Sequence, residues 1–487
     1  MRRLLMACMF LMALITHASN YNIRDYGAKG DGKTLDHQAV DRAIEDCVSH
    51  GGGRVEVPAG TYLCGTIHLK SNVELHLAAG AVILAAPAEM KAYDEAEPWE
   101  GPAYQDGGHT YFHNSLIWAE NEKNVSITGR GMIDGQGLTR HDTEKAGNLQ
   151  GGSIGTGDKA IALKSCRNVL IRDISIFRGG HFAIIITGCD IATIDNVVID
   201  TNRDGIDIDC CKYVTVSNCK VNTPNDDAIV LKSSYALKRP VMCEHIMVNN
   251  CLVSGYKLGT FLDGTYVPEK VNWVCGRIKL GTESNGGYRD IAITNCTCMW
   301  SSGLAFEEVD QGRMENIVVS NIAMNHVHHY PIYITTGCRN RGPKEVKDVS
   351  YGGNIQISNV VAQDVDSLAG IIITGMENHP LEHIYLSDIR IQSRGGGSAD
   401  QMRWDYREQG TNYPEPKFAG ATPAKGVFVR HARDVRLSNV TFTFQKEDQR
   451  PAVVLDDVED VRLDNIFTPK KLTTDDVVLR NHSNVLF

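Results

Sequence analysis

Three aspartates in the middle of the chain have the type and spacing that acid/base chemistry needs. Asp226 and Asp227 are adjacent in the stretch VNTPNDDAIVLKSS, and Asp204 opens a matching apolar run in NRDGIDIDCC. Carboxylates that are crowded together repel one another, so at least one should have a raised pKa. One protonated and one ionised carboxyl are what the hydrolysis of a glycosidic bond requires. These aspartates can act together only if the fold brings them to one place.

An internal repeat in the sequence predicts that the fold brings these aspartates together. The segments AIALKSCRNVLIRDISI, AIIITGCDIATIDNVVI, GIDIDCCKYVTVSNCKV and AIVLKSS begin at residues 160, 183, 205 and 228. Each alternates apolar and other residues over five or six positions and then breaks at small or polar residues, which is typical of short strands. A period in the low twenties built of strands indicates a solenoid. We predict an all-β fold, a right-handed parallel β-helix; the L-x-x-L-x-L-x-x-N frame of the competing leucine-rich repeat is missing.

The chain organisation follows from this repeat. Residues 1–18 have an arginine pair followed by a short apolar run and are predicted to be a cleaved signal peptide. Residues 19–487 are predicted to form a single parallel β-helix domain. Loop inserts are expected near residues 89–113, 235–276 and 393–425, and such long loops are often functional.

A short helix at Asp36 to Cys47, where apolar residues recur at helical spacing, should cap the open end of the stack.

Composition limits the possible partners and the location. The formal net charge of −10 argues against nucleic acid as a partner, because phosphate binding needs a basic surface. No later segment has 18 consecutive apolar residues, so we expect no membrane insertion and a secreted, periplasmic or extracellular protein. The 14 cysteines show no paired CxxC spacing, so zinc is not expected, and we interpret most of them as small buried hydrophobes.

Strand alternation assigns outward positions on neighbouring coils. If Ile206 and Ile208, and their equivalents on later coils, point inward, then Lys232 and Lys279 point outward on one sheet. Coils lie about 4.8 Å apart, so Asp204 and Asp227 should share one column. A single aspartate at a strand entrance is better explained as a partner for turn amides. Three in adjoining columns, with cations close by, favour a functional site.

These motifs resemble the polygalacturonase-like glycoside hydrolases of family 28, whose signature is an Asn-Thr-Asp coil followed by an Asp-Asp coil. The segment GRGMIDGQG and the opening IRDYGAKGDGKTLD also look like that family, and the resemblance covers most of the chain. The resemblance implies that Asp226 is the general acid and that Asp204 and Asp227 activate water. It also implies an inverting reaction on a pectic oligo- or polysaccharide, with no cofactor and no metal. Inversion requires acid and base carboxyls roughly 6.5 to 9.5 Å apart.

The chain departs from the family pattern where substrate would bind. Cys275 stands where the family has the His of a Gly-His-Gly motif, and Glu307 falls in the segment that aligns with an Arg-Ile-Lys. These replacements suggest a neutral or deoxy sugar on one side of the scissile bond, as in rhamnogalacturonan, and the inserts suggest an exo-acting pocket. The candidate substrate contacts are Lys232, Arg277, Lys279, Asn202 and Glu307.

Two other functions are compatible with the same fold. A polysaccharide lyase would use an Arg or Lys base and usually calcium, and a non-catalytic β-helix would only bind carbohydrate. Glu283, Glu308 and His109 are each open to two interpretations, a site contact or a residue of a turn or packed loop.

Overall fold

The computed structural model describes residues 20–99, 107–139, 155–270, 273–343, 348–415, 418 and 421–486. The predicted signal peptide, residues 1–18, lies outside the described residues. Within the described chain almost every element is a strand, and the strands follow one another with short turns between them.

The strands are numbered in chain order. Strands β1 to β10 are Asn20–Asn22, Asp31–Leu35, Gly53–Val57, Gly60–Cys64, Ile67–His68, Val73–Leu77, Ala81–Ala85, Ile117–Glu120, Lys123–Gly129 and Met132–Asp134. Strands β11 to β22 are Lys159–Lys164, Arg167–Arg172, Ser175–Phe177, Phe182–Thr187, Asp190–Asp195, Val198–Asp200, Asp204–Asp209, Lys212–Ser217, Lys220–Asn222, Ile229–Ser233, Cys243–Asn249 and Leu252–Ser254. Strands β23 to β34 are Ile278–Ser284, Tyr288–Ser301, Leu304–Glu308, Arg313–Val327, Ile332–Thr336, Tyr351–Val365, Ile371–Thr374, Leu381–Gly395, Val427–Lys446, Val453–Thr468, Lys470–Lys471 and Val477–Leu486.

Most strands pair in parallel with their equivalents one coil before and one coil after. Strand β17 lies between β14 and β20, and β23 lies between β20 and β25, so equivalent residues form continuous rows along the axis. Among the described strand pairs only β32 with β33 is antiparallel. The predicted right-handed parallel β-helix is confirmed.

The predicted inward positions form the core. Ile206 pairs with Ile229, Ile229 with Ile278, and Ile278 with Leu304, and all four side chains have no exposed surface. The predicted role of the cysteines is also confirmed, because twelve of the thirteen described cysteines are buried and all thirteen are free thiols. The core is therefore a set of apolar columns in which each coil repeats the side chain positions of the last.

The repeated Asn-Cys pairs mark a tight turn. Asn218, Asn250 and Asn295 have φ of 58°, 55° and 56°, the left-handed conformation that Asn adopts more readily than most residues. The Asn321 side chain donates to Asn295 Oδ1 of the preceding coil at 2.9 Å, and Asn359 donates to Asn321 at 2.6 Å. The cysteine after the asparagine then points into the core, so the dipeptide encodes the turn and the first buried position of the next strand.

The predicted cap is present as helix α1, His37–Ser49. Its apolar face buries Val40, Ile44 and Cys47, and the helix contacts β1 and β3 to β6. Asp36 precedes the helix and accepts hydrogen bonds from the backbone of Lys29 and Gly30 at 2.7 and 2.9 Å. The helix covers the first coil, which would otherwise expose a row of apolar side chains. No helix within the described residues is both long and apolar enough to cross a membrane.

The second predicted insert needs a correction. Residues 235–276 are not one loop, because β21 and β22 within this range pair with β18 and β19 of the coil before and with β24 of the coil after. Only the segments before β21 and after β22 leave the stack. The alternation in CEHIMVN and the following Asn-Cys turn have the same pattern as the other coils. The third insert likewise begins after Gly395, because β30 extends to that residue.

The alternation predicts a difference in stability between two neighbouring positions of β26. Val319 is fully buried and Val318 is 45% exposed, so the same change to alanine should have unequal effects. Val319→Ala should lower the free energy of unfolding by about 2 kcal/mol, from lost apolar burial plus the cavity left behind. Val318→Ala should change it by less than about 0.5 kcal/mol. Urea unfolding followed by circular dichroism measures both, and equal losses would contradict the described strand orientation.

Candidate active site

The three aspartates lie at the starts of β17 and β20, two strands that pair with each other on neighbouring coils. The backbone N–H of Asp227 donates to Asp204 Oδ1 at 3.3 Å and lies 3.1 Å from Asp226 Oδ1. The backbone N–H of Gly205 donates to the carbonyl of Asp227 at 3.0 Å. The register therefore puts Asp204 and Asp227 in one column, as the repeat predicts.

Gly205 permits this close approach of the two coils. A Cβ atom at this position would lie 2.4 Å from a methyl of Val221 and 2.5 Å from the carbonyl oxygen of Ala228. No side chain fits in that space, so the coil that carries Asp204 can lie against the coil of Asp227 only with glycine there.

The three carboxyls have unequal surroundings. Asp204 and Asp227 are 3% exposed, whereas the side chain of Asp226 is 23% exposed and pairs with Arg203 at 2.7 Å. Burial raises the pKa of Asp204 well above its usual range, and the neighbouring charge of Asp226 raises it further, against the opposing charge of Lys232. Burial acts in the same way on Asp227, but the charges of Arg277 and Lys279 outweigh it and hold its pKa well below the usual range. The two buried carboxyls therefore have pKa values shifted in opposite directions.

A buried network of cations and carboxylates surrounds Asp227. The Arg277 Nε donates to Asp227 Oδ1 at 2.6 Å, and Lys279 Nζ lies 3.4 Å from Asp227 Oδ2 and 3.2 Å from Glu307 Oε2. The other edge of the Arg277 guanidinium donates to both carboxylate oxygens of Glu415, at 2.5 and 3.2 Å. Burial raises the pKa of Glu307, and Lys279 opposes that shift. The structure thus joins the predicted Arg277, Lys279 and Glu307 to the aspartates.

A second network centres on Lys232. Its Nζ lies 3.3 Å from Asp207 Oδ2, 3.4 Å from Glu283 Oε2 and 3.9 Å from Asp204 Oδ2. His109 Nε2 of the first insert lies 3.1 Å from the same Nζ. Burial raises the pKa of Asp207 to about 6, although Lys232 and His109 act in the opposite direction. Lys232 therefore connects the column of Asp204 and Asp227 to further buried charged groups.

Two of the residues that the sequence left open belong to this second network. His109 has no exposed surface and packs edge-on against Phe182 with ring centroids 5.0 Å apart. Glu283 is 3% exposed and lies 3.6 Å from the guanidinium of Arg339. Glu308 instead accepts a hydrogen bond from the backbone of Gly312 at 3.0 Å, as a turn residue does.

Asn202 lies beside the aspartates but is enclosed. It is 1% exposed, its side chain oxygen accepts a hydrogen bond from Asn225, and its Nδ2 has no hydrogen-bond partner among the described residues. Asp200, two residues before Asn202, accepts hydrogen bonds from the backbone of Phe261 and Leu262 at 3.2 and 3.1 Å. The loop after β22 is thereby attached to the turn that precedes Asp204.

Glu415 is the site residue that sequence reasoning missed. It lies in the third insert, where no repeat register predicts the position of a side chain. The only available signal was the general one, that a long loop in a repeat protein often contacts ligand. The same inference applied to the first insert, whose His109 contacts Lys232.

The spacing of the adjacent carboxyls differs from the expected range. One oxygen of Asp226, one oxygen of Asp227 and the thiol of Cys275 all lie within 4.8 Å of one another. This distance joins nearest atoms and is shorter than the 6.5 to 9.5 Å expected between the acid and base carboxyls of an inverting enzyme. Cys275 donates its thiol hydrogen to Asp227 Oδ1 at 3.2 Å, at the position where the family pattern has a histidine.

Comparison with known proteins points to one family. Residues 47–254 match the family described as glycosyl hydrolases family 28. An exo-poly-alpha-D-galacturonosidase from Dickeya chrysanthemi is 24% identical over 74% of this chain and 65% of its own length. An exopolygalacturonase from Platanus acerifolia is 23% identical over 78% of this chain and 92% of its own length.

A solved structure shares the fold across most of the molecule. The exopolygalacturonase from Thermotoga maritima aligns with a TM-score of 0.66 at 23% identity, over 87% of this chain and 91% of that one. The family match includes Asp204, Asp226, Asp227 and the turns that carry them. The chain is therefore similar to family 28 of the glycosyl hydrolases over residues 47–254.

Proposed function

We propose that the protein is a secreted hydrolase that cleaves glycosidic bonds of pectic polysaccharide, of the galacturonan or rhamnogalacturonan type. The observation that carries the proposal is the column of Asp204 and Asp227 with Asp226 beside it, in which two cations hold the pKa of Asp227 well below its usual range and Asp226 is the most exposed carboxyl. Glycoside hydrolysis needs one carboxyl that gives a proton and one that is ionised. The names of the Dickeya and Platanus relatives support the pectic substrate.

The proposed reaction uses the three aspartates in distinct roles. Asp226, the most exposed of the three, takes a proton from solvent and gives it to the glycosidic oxygen as the bond from the anomeric carbon to that oxygen breaks. Water attacks the anomeric carbon from the opposite face, and its proton passes to Asp227. Burial opposes the ionised form of Asp227, but Arg277 and Lys279 outweigh it and lower the pKa, so this carboxyl is in the ionised form that a base requires. Asp204 orients the water. An inverted product requires room for that water between the acid and base carboxyls, so the Asp226 and Asp227 carboxyls must stand farther apart in the reacting complex than in the free protein.

The cations favour hydrolysis over the lyase reaction. A lyase needs an Arg or Lys without its proton to act as base, but Arg277 and Lys279 are each engaged with carboxylates on two sides. Burial lowers the pKa of Arg277 and of Lys279, but the negative charge of Asp227 opposes it, and both pKa values lie well above their usual ranges. Neither side chain is therefore suited to remove a proton from a uronate.

Exo action and export are parts of the same proposal. His109 of the first insert and Glu415 of the third contact site residues from different parts of the chain, which supports a short pocket rather than an open groove. The arginine pair and apolar run at the amino terminus support export.

The effects of substituting the acid and the base should differ when the leaving group of the substrate is changed. With a pectic oligosaccharide, Asp226→Asn and Asp227→Asn should each lower kcat by about 10²- to 10⁴-fold, because each loses a proton-transfer group. With a glycosyl fluoride of the same sugar, whose leaving group needs no proton, Asp226→Asn should recover much of its rate and Asp227→Asn should not. Stopped assays of product release measure both.

The exposed Asp405, at 79% side chain exposure, provides the control, because Asp405→Asn should keep the wild-type rate on both substrates. If Asp226→Asn and Asp227→Asn stay folded and retain full turnover, the aspartates are not catalytic. If the wild type only binds the oligosaccharides and never cleaves them, the non-catalytic carbohydrate-binding alternative is correct.

The stereochemistry of the product tests the mechanism independently. Proton NMR recorded during the first turnovers should show the new reducing end with the anomeric configuration opposite to that of the cleaved bond. A retained anomer would mean that one carboxylate acts as a nucleophile, for which a separation of about 5 to 5.5 Å is typical. An unsaturated product that absorbs in the ultraviolet would instead identify a lyase.

A further inference from the structure

The third insert places a carboxylate against two buried cations of the site, Arg277 and Lys279. Glu415 makes a two-point ion pair with Arg277, and its Oε1 lies 3.7 Å from Lys279 Nζ. Its side chain is 7% exposed. A paired arginine fork is the arrangement with which proteins bind a planar carboxylate from a ligand. Here that position is occupied by the protein's own side chain.

The charges around this pair add up to no excess of positive charge. Two cations, Arg277 and Lys279, contact three carboxylates, those of Asp227, Glu307 and Glu415, and none of the five side chains is more than 7% exposed. With all five ionised the formal sum is −1. A uronate carboxylate brought to this position would have no unneutralised cation to pair with and would face like charges, which weakens its binding.

The wall beside the network is also suited to an uncharged ring. His329 lies close enough to Glu415 and Arg277 for both charges to act on it, and burial lowers its pKa to about 4, so its imidazole is neutral near pH 7. Its Nε2 has no hydrogen-bond partner among the described residues. Trp273 packs against His329 with ring centroids 4.2 Å apart. Aromatic walls with a few polar atoms that can bond hydroxyls are typical of sites for neutral ligands.

We propose that Glu415 is a specificity-determining residue, which makes the sugar position beside Arg277 and Lys279 selective for a unit without a carboxylate. The substrate class is then a pectic glycan in which a neutral sugar adjoins the cleaved bond, as opposed to an unbroken run of uronates. This inference rests on the proposed function for the identity of the site. It concerns which sugar is bound and not how the bond is cleaved.

Binding of matched ligands tests the inference without turnover. The probes are sulfur-linked oligogalacturonides, which glycosidases do not cleave, and the same compounds with the carboxyl of one sugar at a time reduced to a primary alcohol. Calorimetry should show that the wild type binds one of the reduced compounds at least about tenfold more tightly than the fully acidic parent. Glu415→Gln should remove most of that preference by gaining affinity for the acidic parent.

Matched variants separate charge from structure. Glu415→Asp keeps the negative charge and should keep the preference for the reduced compound, and Asp405→Asn changes an exposed carboxylate of the same insert and should have no effect. The inference is wrong if the wild type binds the acidic parent as tightly as every reduced compound, if it binds none of them, or if folded Glu415→Gln keeps the wild-type preference.

Failure of this inference and failure of the proposed function give different results. Turnover of oxygen-linked substrates without any preference for a neutral sugar would reject the role of Glu415 and leave hydrolysis in place. The expected binding preference without any turnover would reject hydrolysis and leave the role of Glu415 in place.

Discussion

Parallel backbone pairing between successive coils, at about 4.8 Å, sets the position of almost every side chain in this molecule. The pairing makes the core, because an isoleucine on one coil meets an isoleucine or leucine on the next. It also makes the site, because a carboxylate at the entrance to one strand meets a carboxylate at the entrance to its neighbour. The same constraint that stabilises apolar columns therefore forces like charges together in polar ones.

Burial turns that crowding into chemistry. In water, two carboxylates a few ångström apart would both stay ionised, since the solvent screens them. Asp204 and Asp227 are removed from water, so each responds to the nearest charges: the pKa of Asp204 rises because it is buried beside Asp226, and that of Asp227 falls because Arg277 and Lys279 outweigh its burial. The difference between the two carboxyls depends on cations from the next coil, which makes the coil of Arg277 as important as the aspartates themselves.

The inserts add side chains to charged networks that the coils already build. The coils supply Arg277 and Lys279 on one side and Lys232 on the other, and each of these buried cations has carboxylate partners on the coils. Glu415 comes from the third insert to the first group, and His109 comes from the first insert to the second. The loops therefore do more than border the cleft, since their side chains belong to the electrostatic networks on which the aspartates depend.

The sequence by itself determined the parts of this protein that repeat. Periodicity predicted the β-helix, the inward residues, the capping helix and the column that joins Asp204 to Asp227, because a fixed register converts spacing along the chain into neighbourhood in space. The same reasoning brought Lys232, Arg277, Lys279 and Glu307 to one face. It misjudged residues 235–276 as a single insert because the longer loops on both sides of β21 and β22 disguised a regular coil.

Only the tertiary structure decided what closes over that face. Glu415 meets Arg277 across 138 positions and His109 meets Lys232 across 123, through loops in which no periodicity relates sequence to position. The pKa shifts depend on these contacts and on burial, and both are properties of the assembled coils and loops together. A repeat can be predicted from a segment of the chain, whereas the charge around a buried carboxylate is a sum over every element packed against it.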